Sequence, residues 1–569
     1  MQTNSQTVIV VGAGVSGSSA ALTAADMGVE VLLFSRAAPR RSLSCLDVGG
    51  FNAALDTKGE DDSENRHAED TLSCGASLSH RGMVEEMCGE APSAAGLFDR
   101  MGAAFARTPE GMADLVKLAG SSCRRSLYSH SGVGGQLSLV LDLQLRRQIA
   151  LGKIRLFEGW EFMSLVIDDA GACRGIVASN RSNMETKAFP AKAVVVATGG
   201  FEGLWGSKCT RPSADGSGVS ACYEQGAVLA NPEFVQFAPF AVAGFDACHP
   251  VCALMLAAGA QIQVPRESSA WRFLTEWYPD SGGLVTDDLG IRAFYRMVVE
   301  GGHGIEGRYV NADLSGIDDG LWGRSFGDRL DIFGRITGEE PRGIPLRVSP
   351  ATSMTLGGLW VDPKHATSIP GLYAAGSASC SYHGACALPG NELPASWQGG
   401  RVAGRGAAFA ALGGEGGEVS SSLLDSAKVR EEDLNVKFAR QQGDESAHAI
   451  MRELSEIMSS AAFFAKENKG LSSALAGIDD LEKRFESAPL SDRREWANPE
   501  LFSMRAISRS FGLARAVLAA SAARDESRGV FFKPAFPERD DRKWQVVTKV
   551  KLSGSAPDLE YSGDVADAD

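Results

Sequence analysis

The stretch from Val8 to Phe34 restricts the fold more than any other part of this chain. Four apolar residues, Val8 to Val11, lead into Gly12, Gly14 and Gly17, then an Ala-rich run, then a second apolar run from Val29 to Phe34. A short, unbroken apolar run marks a strand buried on both faces, as in a parallel sheet. The glycines turn that strand directly into a helix, so the unit reads strand–turn–helix–strand with a G-x-G-x-x-G turn. Gly12 permits the tight turn, and Gly14, beside Ala13 and Ser16, lets backbone approach a pyrophosphate at the helix N-terminus. Gly17 lets the helix pack on the sheet. The glycine spacing alone is weak evidence, but in this setting it predicts a dinucleotide site.

At 569 residues the chain exceeds one core, so two or three domains are expected. Lys+Arg 56 against Asp+Glu 71 gives a net charge of −15, which excludes a broad basic face for nucleic acid or anionic lipid. No apolar run reaches the roughly 18 residues that direct membrane insertion requires. The 11 cysteines form no CxxC pair and no finger-like spacing, so neither a metal nor an Fe–S cluster is expected in this chain. With no signal-like N-terminus, the odd count fits reduced thiols in a cytoplasmic compartment, any membrane association coming through a partner subunit.

After the second strand there is no acidic residue to hold a ribose; the chain reads Ser35-Arg36, then Pro39, then Arg41-Ser42-Leu43-Ser44 through Gly49-Gly50-Phe51-Asn52-Ala53-Ala54. This resembles the LLSKxxPxRSHTxAAQGGxNAAL stretch of the succinate dehydrogenase and fumarate reductase flavoproteins, relatives of L-aspartate oxidase. Val194 to Gly200, with Ala197, Thr198 and Gly199 at its turn, is similar to the family's second nucleotide contact. Asp215-Gly-Ser-Gly218 resembles a helix start near the adenosine, Glu233 to Pro239 resembles EFVQFHP, and Gly371 to Gly376 resembles GLFAAGE. His383 to Leu393 resembles HGANRLGGNSL, and Arg524 to Trp544 resembles RxESRGxHYRxDFPxRDDxxW. The resemblance implies FAD contacts at Gly12, Ala13, Gly14, Ser16, Gly17, Ser35, Arg36, Ser42, Gly49, Gly50, Ala197, Thr198, Gly199, Asp215, Gly376, Ser377, Glu392 and Leu393. The family's covalent histidine falls on Leu43, so the FAD is expected to be noncovalent.

The same resemblance implies an α/β fold: a Rossmann-like FAD-binding domain over 1–230 and 350–412, an inserted α+β capping domain over 231–349, and a helical C-terminal region over 413–569. Gly413 to Gly417 reads as a linker, and the apolar spacing over Ala447–Ala465 and Met504–Ala523 predicts bundle helices. The acidic tail beyond Gly554 is expected to fray.

Chemistry is where the chain departs from its relatives. The family's proton-donating Arg, in LASRDVVSR, falls on Asp287. The His of EFVQFHP is Ala238, a second His is Ser353, and the carboxylate-binding Arg of HGANRLG is Ala387. The segment Cys252–Ala260 stands where the family supplies Thr and Glu to its substrate pocket. Losing one partner of a desolvated carboxylate costs about 3–5 kcal/mol, so dicarboxylate chemistry should be lost. Asp287 and Tyr382 are the candidates for proton transfer; His383 reads as architecture or catalysis, and Glu392 as a carboxylate near the flavin or substrate or as an exposed loop residue. Arg292, Arg401 and Arg405 are remaining cations or structural ion-pair partners. Trp271, Trp277 and Tyr278 line an apolar pocket or belong to the capping-domain core. Three readings follow. One is an FAD enzyme acting on a C–C or C=C bond of a less anionic substrate. The others are an electron-transferring flavoprotein with an Fe–S partner subunit, and a noncatalytic flavin-stabilised scaffold.

Overall fold

In the computed structural model the residues described are 6–130, 132–210, 213–243, 249–267, 269–326, 334–335, 338–414, 419–494 and 496–563. A five-stranded parallel sheet has the order Leu372–Ala374, Ala193–Val196, Thr7–Val11, Glu30–Ser35, Ile154–Glu158. Its register pairs Val8 with Val31 on one side and with Ala193 on the other. Both faces of the central strands are buried because helices cover one face and a second sheet covers the other. The helices Val15–Asp26 and Glu392–Leu412 pack on the first face through alanine and glycine. The antiparallel sheet Trp160–Ile167, Cys173–Asn180, Thr186–Pro190 covers the second, where Phe34 and Phe157 stack face to face and Trp160 and Phe189 meet them edge on.

Two glycines make the fingerprint turn possible. Gly12 has φ +104°, and a Cβ there would lie 2.1 Å from the Ala197 carbonyl oxygen. A Cβ on Gly17 would lie 1.9 Å from the Gly12 oxygen, so any side chain would force the helix off the strand.

The inserted region is built on a six-stranded antiparallel sheet in the order His249–Pro250, Val235–Val242, Leu346–Thr355, Val310–Asp313, Gln261–Pro265, Ala270–Trp271. It has its own core around Phe240, Ile262, Phe273 and Phe294. The chain enters it on Val235–Val242 and leaves on Leu346–Thr355, and these strands pair, so the seam with the FAD-binding part is a strand ladder. The helix Asp287–Phe294 packs against the entering strand.

The C-terminal region holds the helices Ser421–Arg440, Ala447–Ala461, Asn468–Phe485 and Pro499–Ala523. The linker Gly413–Gly417 lies outside the described residues after Gly414. The frayed tail expected beyond Gly554 is corrected as far as residue 562. Val547–Ser553 and Ala556–Ser562 form an antiparallel hairpin turning at Gly554. The hairpin joins a sheet in the order Ser379–Cys380, Gly358–Trp360, Leu229–Ala230, Val547–Ser553, Ala556–Ser562. Polar composition misled here, because Ala556–Ser562 is held by Val547–Ser553 beside it, which is itself anchored on a distant partner, Leu229 opposite Val550.

Candidate functional site

One cleft of about 420 Å³ runs along the C-terminal ends of the parallel strands and on under the inserted region. Gly12, Ala13, Gly14 and Ser16 of the fingerprint line it, with Ser35, Arg36, Ser42 and Gly49 from the segment after the second strand. Ala197, Thr198, Gly199, Asp215, Gly376, Ser377, Glu392 and Leu393 complete the predicted contacts in the same cleft. Arg36 is held there by Asp215 at 2.8 Å and Glu161 at 2.6 Å, and by the Ser217 hydroxyl. Those carboxylates keep its guanidinium charged against the penalty of burial.

Four side-chain oxygens in the cleft wall, Ser16 Oγ, Thr198 Oγ1, Glu202 Oε2 and Thr210 Oγ1, are buried with no hydrogen-bond partner among the described residues. Buried polar atoms without partners cost about 1–3 kcal/mol each, and a pyrophosphate or ribose would satisfy such hydroxyls. Glycine backbone, a helix N-terminus and these orphaned groups fit a dinucleotide cofactor. Leu43 also lines the cleft and offers no nucleophile for a covalent link.

Two predicted contacts stand outside the cleft wall. Gly17 acts through packing, as described above. Gly50, at φ +113°, faces the neighbouring strand, where a Cβ would lie 2.2 Å from Ser126 Oγ.

The inserted region contributes Gln236, Ala238, Pro239, Val251, Cys252, Ala253, Asp287, Ser353 and Met354 to the far end. None of these is a cation; the cations among the described lining residues are Arg36 and Arg41, from the segment after the second strand. Asp287 is the first residue of its helix, and its Oδ2 accepts a hydrogen bond from Gln236 Nε2 at 2.8 Å. Gln236 is oriented in turn by the Ala387 N–H, which donates to its Oε1 at 3.2 Å. Burial raises Asp287 to about 7, the Gln236 hydrogen bond opposing and the Asp288 charge assisting. Glu202, which accepts the Thr355 N–H at 2.9 Å, is raised to about 7 by burial as well.

Tyr382 and His383 do not reach the cleft. The Tyr382 hydroxyl is 3.0 Å from His365 Nε2, and its ring packs in an apolar cluster with Met83, Val84 and Met87. Burial drives this phenol well above its ordinary value, so it serves packing and one hydrogen bond, not proton transfer. His383 is half-buried outside the cleft wall, and burial lowers it to about 4. Arg292 pairs with Asp288 at 3.2 Å, Arg401 with Glu90 at 3.0 Å and Arg405 with Glu86 at 3.3 Å. Trp271, Trp277 and Tyr278 pack on the core of the inserted region, and Trp277 and Tyr278 also line a separate cavity of about 340 Å³. Sequence reasoning missed Gln236 and Glu202. Gln236 lay inside the EFVQFHP match, but only the fold reveals that it faces Asp287.

The fold and cleft define a dinucleotide-binding protein. A family model described as an FAD binding domain matches residues 7–393, and one described as fumarate reductase flavoprotein C-term matches residues 451–567. The succinate dehydrogenase flavoprotein subunit of Bacillus subtilis is 37% identical over 559 residues, covering 97% of this chain and 95% of that protein. The L-aspartate oxidase of Streptomyces coelicolor is 28% identical, covering 96% and 91%. The structure of E. coli quinol fumarate reductase superposes with a TM-score of 0.92 at 24% identity, covering 99% of this chain and 97% of that one. This chain belongs to the succinate dehydrogenase and fumarate reductase flavoprotein family, and is an FAD-dependent oxidoreductase. No helix among the described residues is long and apolar enough to cross a membrane.

Proposed function

We propose that this flavoprotein acts on a C–C or C=C bond of a substrate less anionic than succinate or fumarate. The observation that carries the reading is Asp287: a half-buried carboxyl, held by Gln236, occupies the cleft wall where an enzyme for dicarboxylates needs a cation. FAD, held noncovalently by the residues lining the cleft, supplies hydride transfer. Asp287 delivers or accepts the proton at the substrate carbon, and Ala238, Pro239, Val251 and Ala253 give the apolar wall that an uncharged substituent would need. Enoate monoacids, enoyl thioesters and aromatic-derived acids meet that description.

The test is anaerobic. Photoreduced holoprotein is mixed in turn with fumarate, a monocarboxylic enoate and an enoyl thioester, and the return of oxidised-flavin absorbance is followed. Reoxidation by the monoanionic or neutral acceptors and not by fumarate supports the reading; rapid reoxidation by fumarate overturns it. Acid precipitation of the same protein should leave the flavin in the supernatant.

A second reading is that the chain passes electrons to or from an Fe–S partner subunit and so reaches the membrane only through partners. It is favoured by the C-terminal region matched over 451–567 and by the B. subtilis relative, which is named as a subunit. Copurification with a cysteine-rich chain, and no turnover without it, would select this reading.

A further inference from the structure

Glu392 opens the helix Glu392–Leu412, and its Oε2 accepts the Gly390 N–H at 2.9 Å. The same oxygen lies 3.9 Å from the place a Cβ on Gly49 would occupy. Gly49, Gly390 and Leu393 all line the cleft, so the carboxyl is wedged between the backbone segments that wall it. Two other carboxyls act on it: Asp47, whose Oδ1 accepts the Gly49 N–H at 2.7 Å, and Asp287 from the inserted region. Along its own helix the next charged side chains, Arg401 and Arg405, are engaged by Glu90 and Glu86. A helix N-terminus favours a carboxylate. Burial and two like charges outweigh it here, and Glu392 is raised to about 8.

We propose that Glu392 lowers the reduction potential of the bound flavin and adds a proton to its two-electron reduction. The proposal rests on FAD occupying the cleft, which family membership supports, and not on the substrate reading. Two-electron reduction adds negative charge to a cleft already lined by Asp47, Asp287 and Glu392. The ionised Glu392 carboxylate opposes that charge and responds by taking a proton from solvent. Above about pH 8 the balance is two electrons and two protons, one proton going to the flavin and one to Glu392, while below about pH 7 Glu392 is already protonated and adds nothing. The electrons come from the reductant that serves the enzyme or, in the test, from an electrode.

Spectroelectrochemical titration of the holoprotein tests this from about pH 6 to about pH 9.5, with E392Q and D287N alongside wild type. The wild-type potential should fall below that of E392Q above about pH 8, the gap widening with pH and closing toward about pH 6. Proton uptake on reduction, followed with an indicator dye in weak buffer, should approach about two per electron pair in wild type and in D287N, and about one in E392Q. Parallel potentials, or a single proton in wild type above about pH 8, would overturn the proposal. An extra proton lost in D287N and kept in E392Q would assign the effect to Asp287 and overturn it equally. Should E392Q fail to hold FAD, wild type and D287N decide: an extra proton kept in D287N supports the proposal, and one absent from wild type or lost in D287N overturns it.

Discussion

At the scale of single residues, the cleft puts chemistry in the hands of carboxyls instead of guanidinium groups. Asp287 must carry a proton to act as an acid, so the rate of flavin reoxidation by the best unsaturated acceptor should fall as pH rises through about 7. D287N should remove that dependence and lower the rate by about 10²–10⁴, the ordinary worth of a positioned acid. A pH–rate profile of both proteins checks it. Lys466 offers a stability test: its ammonium is buried with no hydrogen-bond partner among the described residues, 4.8 Å from the Phe531 ring centre, and burial lowers it to about 7. The unfolded chain binds that proton more tightly, so the penalty is complete below about pH 7 and fades toward pH 10.5, the ordinary lysine value. K466M should therefore raise the melting temperature more at about pH 6 than at about pH 9.5. Legibility differed sharply among residues. The fingerprint turn and Arg36 could be read from local sequence because glycine spacing and order along the chain fix them. Tyr382 could not be placed, because whether a tyrosine near His383 faces the cleft or His365 depends on packing between distant segments.

At the scale of elements, the parallel sheet and its crossover helix were legible because apolar runs and glycines encode them within some thirty residues. The terminal hairpin was not. Its strand Val547–Ser553 alternates weakly, and it is defined by Leu229–Ala230, to which it bonds far along the chain. Thr548 N–H donates to Asn231 Oδ1 at 2.8 Å, and Val550 is fully buried beneath the pair. V550A should cost about 2 kcal/mol in denaturant unfolding. The seam between the FAD-binding part and the inserted region follows the same logic. Val235–Val242 and Leu346–Thr355 pair with register shifts at Gln236/Phe237 and Ala238/Ala241. Bulges re-aim side chains, and this one lies at the positions that supply Gln236 and Ala238 to the cleft wall.

At the scale of the whole molecule, a buried charge network joins the parts. Arg524 bonds Glu233 at 2.9 Å and Glu526 at 2.7 Å, and Arg528 bonds Glu526 at 2.8 Å, all four side chains being fully buried. Removing one member leaves an uncompensated buried charge, so E526A should destabilise the protein by about 3–5 kcal/mol, read from chemical denaturation. The network also reaches the hairpin, since Thr548 Oγ1 donates to Glu233 Oε1 at 2.6 Å. The five-stranded sheet holding that hairpin draws its strands from residues 229, 358, 379, 547 and 556 onward. On a ribosome, then, the edge of Leu229–Ala230 stays bare until more than half of the chain has followed it out of the exit tunnel. The nascent protein has to be shielded through that wait, which ends only when Val547–Ser553 arrives to pair with Leu229–Ala230.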